Sequence, residues 1–250
     1  MTKSPPAAAI FGATSDIAAA VARRYAEAGW RLALIGRNSD ILEAAAADLR
    51  IRGAADVHVH LADFADSASL PKASAAAWCG FGGLDLALIA YGTLPDQSTA
   101  EQDRAACEAA LMLNFTSPIL LANELGRRFA AQRSGTLAVI SSVAGDRGRG
   151  SNFIYGAAKG GLQRYLEGLR HRLIKQGVTV LDIRPGFVMT SMTSNLPQGG
   201  LLWAKPDRVA ADITKAISGH NSVLYTPWFW KYIMAAVRGL PRALFHKTNL

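Results

Sequence analysis

Cysteine is scarce: its two copies, Cys79 and Cys107, stand at neither metal-site nor disulfide spacing. That excludes a disulfide scaffold and a cysteine-ligated zinc site, and fits structural thiols in a reducing compartment. Charged residues are also few, at 18%, and acids are the scarcer sign, with 19 Asp and Glu against 27 Lys and Arg for a net charge of +8. Nothing resembles a disordered tail or linker. No uninterrupted apolar run reaches the ~18 residues that span a bilayer. The opening Met1-Thr2-Lys3-Ser4-Pro5-Pro6 leads into an apolar stretch too short for a secretory h-region, so a cytoplasmic chain is expected. The cations are dispersed and no nucleic-acid motif accompanies them, which sets nucleic acid aside in favour of phosphates or acidic lipid surfaces as anionic partners.

What remains is a chain of 250 residues, half of them apolar, enough for one α/β domain over residues 1–250. Short apolar runs alternate with longer helical stretches, the pattern of a parallel sheet covered by helices on both faces. Ala7–Phe11 reads as a strand, followed by a turn at Gly12 and a helix from Asp16 to Ala28 that stops at Gly29. Leu32–Ile35 is the second strand. The next helix covers Asp40–Arg50, with Asp40 and Glu43 spaced as a capping box and Gly53 ending it. Val57–Leu61 and Leu84–Ala90 are the third and fourth strands, and a long helix crosses Leu111 to Gln132. Thr136–Ile140 is the fifth strand, Ile154–Gln176 a helix, Thr179–Ile183 the sixth strand, Asp207–Ser218 a helix and Val223–Tyr225 the last strand. Right-handed crossovers in this order give a doubly wound, Rossmann-type, mostly parallel seven-stranded sheet.

The turn Gly12-Ala13-Thr14-Ser15-Asp16-Ile17-Ala18 joins the first strand to the first helix. A glycine-lined turn there lets backbone N–H groups and a helix N-terminus meet a pyrophosphate. Asp16 brings a negative charge to that place unless it turns away to cap the helix. About 25 residues on, the second strand ends at Ile35-Gly36-Arg37-Asn38, without the acid that commonly meets an NAD ribose. Arg37 suits the 2′-phosphate of NADP instead, so NADP(H) is favoured and NAD(H) stays open; the alternative is a solvated strand-end arginine. Asp63 is placed for the adenine ring, and Ala90-Tyr91-Gly92 for backbone approach to the cofactor ribose.

The reacting groups lie further along. Tyr155 and Lys159 are four residues apart and share one helix face, about 6 Å apart along its axis. An adjacent ammonium stabilises a phenolate and eases proton exchange by a group whose ordinary pKa is near 10. Ser142 lies 13 residues before Tyr155, directly after a strand, where its hydroxyl can meet a carbonyl oxygen; Ser141 points to the opposite face. Asn114, in mid-helix, is a poor helix former and is read either as functional or as a kinking or interface residue. In Arg184-Pro185-Gly186-Phe187-Val188-Met189-Thr190, Pro185 and Gly186 fix a turn at the carboxyl edge of the sheet, and Thr190 and the Val188 backbone can hold a carboxamide.

Taken together, these elements resemble the short-chain dehydrogenase/reductase family over nearly the whole chain. The resemblance implies Tyr155 as proton donor and acceptor, and Lys159 as the group that lowers its pKa and binds the nicotinamide ribose. It implies Ser142 steadying the substrate oxygen, Asn114 holding a water in a proton relay, and a homodimer or homotetramer. Asp16, Ala18 and Tyr91 depart from the family pattern, Tyr91 lying where Asn is usual.

A narrower likeness, to the decaprenylphosphoryl-2-keto-ribose reductases, is carried by Gly145-Asp146-Arg147-Gly148-Arg149-Gly150-Ser151-Asn152-Phe153-Ile154-Tyr155-Gly156. Thr226-Pro227-Trp228, Tyr232-Ile233-Met234 and Leu240-Pro241-Arg242 extend it. It implies a polyprenylphosphoryl 2-keto-pentose substrate, with Arg147 and Arg149 as contacts for its phosphate or else as a solvated basic loop. Phe187, Met189, Met192, Leu196, Leu201, Leu202 and Trp203 crowd a lid at about 187–204 that suits a greasy ligand, Met192 and Trp203 among the substrate contacts. From Ile213 to Leu250 there are five Lys and Arg and no acid. The basic aromatic tail over 228–250 therefore either touches the inner face of a membrane peripherally or packs on the protein. The expectation is an NAD(P)H-dependent reductase of a ketone, with a small-molecule or lipid-linked sugar substrate and no metal. The alternatives are a generic ketoreductase for a small hydrophobic substrate and a non-catalytic NAD(P)-sensing or scaffold protein.

Overall fold

The computed structural model describes residues 4–248. The apolar runs form strands β1 (Ala7–Phe11), β2 (Arg31–Gly36), β3 (Asp56–Leu61), β4 (Leu86–Ile89), β5 (Thr136–Ile140) and β6 (Thr179–Pro185). A short pair follows, β7 (Phe187–Val188) and β8 (Trp203–Ala204), and then β9 (Val223–Thr226). Helices are α1 (Asp16–Glu27), α2 (Ser39–Ile51), α3 (Leu70–Phe81), α4 (Gln97–Gln102), α5 (Arg104–Leu111), α6 (Ser117–Gln132), α7 (Phe153–Leu173), α8 (Pro206–Ser218), α9 (Trp230–Gly239) and α10 (Arg242–Phe245).

Seven strands pair in parallel in the order β3-β2-β1-β4-β5-β6-β9, the doubly wound arrangement expected. Strand periodicity divides the core between two faces. Ile10, Leu32, Leu34 and Leu88 meet Val21, Leu42 and Ile213 from α1, α2 and α8. On the other face Phe11, Ile35 and Ile89 meet Leu121, Phe129, Leu162 and Leu166 from α6 and α7. Each such side chain, fully buried, contributes roughly 1.5–3 kcal/mol. The order reverses between β1 and β4, and that reversal opens a crevice at the carboxyl edge of the sheet.

Four local expectations are corrected. Helix α2 starts one residue earlier than read, and Asn38 caps it, its Oδ1 accepting from the Ile41 amide at 3.0 Å; Asp40 lies inside the first turn, so no Asp40–Glu43 capping box exists. Helix α3 was not foreseen, because its alanine-rich sequence shows little periodicity and Ser69 offers it no side-chain cap. Helix α4, only six residues long, was missed as well. The long helix at Leu111–Gln132 is interrupted, α5 passing into α6 through a π-helical turn at Met112–Thr116.

Candidate active site

The crevice is a cavity of about 730 Å³. All the residues singled out at the ends of β1 to β6 line it: Gly12, Thr14, Ser15, Asp16, Ile17, Arg37, Asp63, Ala90, Gly92, Pro185, Gly186, Val188 and Thr190. Asn114, Ser142, Tyr155 and Lys159 line it too, so four side chains from remote stretches share one cavity.

The π-helical turn is where Asn114 sits, fully buried. Its Nδ2 donates to the Ala110 carbonyl at 3.0 Å, the acceptor its own backbone amide would use in an α-helix. That competition is the physical reason for the wider turn, in which the Ser117 amide reaches back to Met112. Asn114 Oδ1 accepts from the Thr93 amide at 3.2 Å, and its Nδ2 also donates to Thr93 Oγ1 at 3.3 Å. A Cβ on Gly92 would lie 2.7 Å from Asn114 Oδ1 and 3.4 Å from Lys159 Nζ, so the missing side chain at Gly92 lets the amide and the ammonium meet the strand end.

Lys159 is 3% exposed and donates to the Ile140 carbonyl at 3.2 Å. Burial pulls its pKa down to about 8, against the pull of the buried Asp182 carboxylate, which raises it. Its Nζ stands 5.8 Å from the Tyr155 ring centroid, the alignment that the four-residue spacing implies. The expected lowering of the Tyr155 pKa by Lys159 is not what governs that phenol. Burial raises it, and the Ser142 hydroxyl beside it works in the lowering direction. Ser142 itself accepts from the Ala144 amide at 3.1 Å. Ser141 faces the other way, bonded to Asp182 and to the Ile183 carbonyl at 3.1 Å.

Sequence reasoning missed what lies beneath this loop. Arg184 Nε donates to Asp182 at 2.7 Å, and its Nη1 donates to Asp146 and to the Tyr225 hydroxyl at 3.0 and 2.9 Å. Tyr225 closes the set by donating to Asp146 at 2.7 Å. The side chains of Asp146 and Asp182 are at most 1% exposed, and the network fixes the segment that carries Ser142. Nothing in the spacing of these residues announced it.

At the dinucleotide end, Gly12 has φ +83°, and a Cβ there would lie 2.8 Å from the Tyr91 backbone nitrogen. Tyr91 is buried, stacked 3.9 Å from Phe64 and hydrogen-bonded to Ser117 at 2.9 Å, so it props up the turn. Ser15 caps α1 by accepting from the Ala18 amide at 3.4 Å. Asp16 and Ile17, in the first turn of α1, line the cavity, and the amides of a helix's first turn, which have no partner within the helix, are a donor set that fits a pyrophosphate. Asp16 caps no helix. Its carboxylate accepts from the Ser191 amide and hydroxyl at 2.8 and 2.9 Å, which ties the turn to the lid. Arg37 is exposed at the cavity edge with no ion-pair partner among the described residues. Asp63 accepts from the Ala65 amide at 3.0 Å through Oδ1.

The lid and tail depart further from expectation. Val188 O accepts from Thr193 Oγ1 at 2.7 Å and Gln198 Nε2 donates to the Thr190 carbonyl at 3.1 Å, while Val188 and Thr190 both line the cavity. Met192 lines the cavity. Trp203 does not, and instead backs Phe187 with ring centroids 5.2 Å apart. Arg147 is corrected from a substrate contact to a structural one, because its guanidinium donates to the carbonyls of Val237 and Leu240 at the end of α9 and stacks 3.8 Å from Phe245. Arg149 does line the cavity. The tail packs on the protein through Trp230 and Met234 against Val143, while Trp228 stays 64% exposed. Trp230, unforeseen, forms part of the cavity wall; a Cβ on Gly186 would fall 1.9 Å from its Nε1, so the glycine is what admits the indole.

Comparison with known proteins agrees with this geometry. The family model for short chain dehydrogenase matches residues 6–200. An uncharacterized oxidoreductase of Mycobacterium tuberculosis is 37% identical over 238 residues, covering 95% of each chain. A sulfoacetaldehyde reductase of Chromohalobacter salexigens is 33% identical over 186 residues, 74% of this chain and 73% of that one. Among solved structures, a short-chain dehydrogenase from Sphingobium yanoikuyae in complex with NADPH superposes with a TM-score of 0.83 at 24% identity, over 97% of this chain and 96% of that one. A family model over most of the chain and relatives of this identity settle membership: this chain belongs to the short chain dehydrogenase family of NAD(P)-dependent oxidoreductases.

Proposed function

We propose that this protein reduces a ketone to a secondary alcohol with NADPH. The observation that carries the reading is the meeting of Asn114 and Lys159 at Gly92, with the Tyr155 phenol and the Ser142 hydroxyl in the same cavity. When bound, the reduced nicotinamide supplies the hydride that reaches the carbonyl carbon. Tyr155 gives its phenolic proton to the carbonyl oxygen, and Ser142 donates a hydrogen bond to that oxygen as charge builds. Lys159 holds the ribose and stabilises the phenolate left behind. Asn114 keeps the π-helical turn in place, and its saturated side chain makes it a positioning residue for the proton relay. The amides of Asp16 and Ile17 meet the pyrophosphate, and Arg37 meets a 2′-phosphate. A relative named for reducing sulfoacetaldehyde supports carbonyl reduction as the direction of the chemistry.

The finer reading is a polyprenylphosphoryl 2-keto-pentose as substrate. It rests on the motif likeness at Gly145–Gly156 and on a lid whose Phe187, Met192, Leu196, Leu201 and Leu202 stay exposed. The Trp228–Tyr232 pair, 5.9 Å apart and exposed beside Lys231, would then rest on a cytoplasmic membrane face. A homo-oligomer built on the exposed faces of α6 and α7, around Leu120 and Phe153, belongs to the same proposal.

The test is NADPH oxidation across a ketone panel. Turnover is expected to fall by about 10²–10⁴ in Tyr155→Phe with NADPH affinity retained, since a positioned general acid is worth that much. No turnover of any ketone by the unaltered protein refutes the reading. Arg37→Ala is expected to raise the KM for NADPH about tenfold while leaving NADH nearly unaffected, as loss of a charge-assisted phosphate contact requires; equal effects on both coenzymes remove the NADP preference. Absence of co-sedimentation with anionic vesicles at low salt removes the membrane contact.

A further inference from the structure

The cavity carries a charge imbalance that the reaction above does not use. Its acids, Asp16 and Asp63, stand at the dinucleotide end, and both are engaged, by Ser191 and by the Ala65 amide. Arg149, in the loop between β5 and α7, lines the cavity wall on the side of the helix that carries Tyr155. Its Nε is cut off from water with no acceptor, and burial pulls the guanidinium below its ordinary range. Three residues on, Asn152 lines the same cavity with its Oδ1 buried and likewise without a partner. A turn holds the two together, the Asn152 amide donating to the Arg149 carbonyl at 3.2 Å.

Buried polar groups are normally partnered, and a desolvated cation without a counter-charge is costly. The contrast with Arg147 is instructive. Two residues away and equally charged, it is satisfied by the carbonyls at the end of α9, whereas Arg149 and Asn152 are left open together on the wall of a ligand cavity.

We propose that Arg149 and Asn152 form a subsite for an acidic group of the substrate, so that the carbonyl compound taken by this cavity carries a carboxylate, phosphate or sulfonate. The guanidinium fork suits two oxygens of such a group, and Asn152 Oδ1 accepts from a neighbouring hydroxyl. The placement rests on the carbonyl-reductase reading, and it names the class of substrate for that same site.

Two pairs of probes differ only in charge: 4-oxopentanoate against its methyl ester, and dihydroxyacetone phosphate against dihydroxyacetone. Calorimetric titration into protein saturated with NADP+, which has no hydride to give a ketone, is expected to show at least one acid bound roughly tenfold or more tightly than its neutral partner, the scale of a charge-assisted contact. Whichever pair shows the larger ratio tells carboxylate from phosphate. The ratio should collapse toward one in Arg149→Gln and return in part in Arg149→Lys, while Arg104→Gln on the exposed face of α5 should leave it unchanged. Equal binding within both pairs, including no binding at all, overturns the proposal, as does a ratio that survives in Arg149→Gln. Because the titration reads binding without turnover, acid preference in a protein that oxidises no NADPH refutes the reductase reading alone. Turnover of neutral ketones with no acid preference refutes the subsite alone.

Discussion

The dinucleotide half of the cavity rests on strand ends whose side chains are buried on both faces, whereas the substrate half hangs on a loop where Leu201 is 95% exposed and on a helix from the far end of the chain. In the first half, Gly12, Tyr91, Phe64 and Ser117 form one continuous contact beneath the turn, and Gly92, Asn114 and Lys159 form another. In the second, the lid segment bonds mostly to itself, through Thr190, Thr193 and Gln198. Its described side-chain bond to the turn at the start of α1 is the one that Asp16 makes to Ser191. A scaffold held by the sheet suits a ligand part that never changes, and a self-contained loop suits one that differs between relatives. The difference in construction is a difference in how much each half can move without disturbing the other.

The largest effect that would sharpen this comparison is expected from glycine substitution. Gly12→Ala puts a Cβ within 2.8 Å of the Tyr91 backbone at φ +83°, which neither side can relieve by a rotamer change. A loss of about 3 kcal/mol is expected, roughly a 6–12 °C drop in Tm. Gly148→Ala, in open space on the substrate side, should stay within about 0.5 kcal/mol. Thermal unfolding of both variants checks the pair, and equal losses would break the contrast.

Next in size is a pH effect at the junction of the halves. Lys159 titrates in the folded protein at about 8, below its ordinary 10.5. Reduction is therefore expected to fall as pH rises through about 8, where the ammonium is lost. Stability moves the other way: the unfolded chain holds the proton over this window and the folded one does not, so the cost of burying the charge fades as pH rises from about 8 toward 10.5. Asp182→Asn removes the carboxylate that raises the Lys159 pKa and should move the alkaline limb to lower pH. A rate profile unchanged in that variant would show that Asp182 does not act on the ammonium.

The smallest effect tests the link between the halves. Asp16→Ala deletes two hydrogen bonds to Ser191 and should raise the KM for the carbonyl substrate about fivefold with kcat little changed, in line with a net ~1 kcal/mol for such an exposed contact. An equal rise in the KM for NADPH would mean that the lid and the turn act as one body.

The contrast also marks where reading residues in order succeeds. Strand β5 was legible to the residue, because a buried apolar run bounded by turn residues has few alternatives. Tyr155, Lys159 and Ser142 were legible as candidates because their spacing is local to one helix and one strand end. The π-helical turn at Asn114 was not, since it arises from a side chain competing for the Ala110 carbonyl. Arg147 and Arg149 looked interchangeable, two residues apart in a glycine-rich loop. What separates them is α9, a helix some 90 positions away in sequence. Trp230 and the Asp182–Arg184–Asp146–Tyr225 network were missed for the same reason.

The amino-acid order alone determined the alternation of strands and helices, the glycine turn and the Tyr155–Lys159 pair on one helix face, because each depends on residues within a few positions of one another. Only the tertiary structure decided which arginine is free to meet a ligand, that Asp16 serves the lid, and that burial rather than a neighbouring cation sets the Tyr155 phenol. Those outcomes depend on desolvation and on partners brought from the far end of the chain, and neither quantity exists before the sheet has closed.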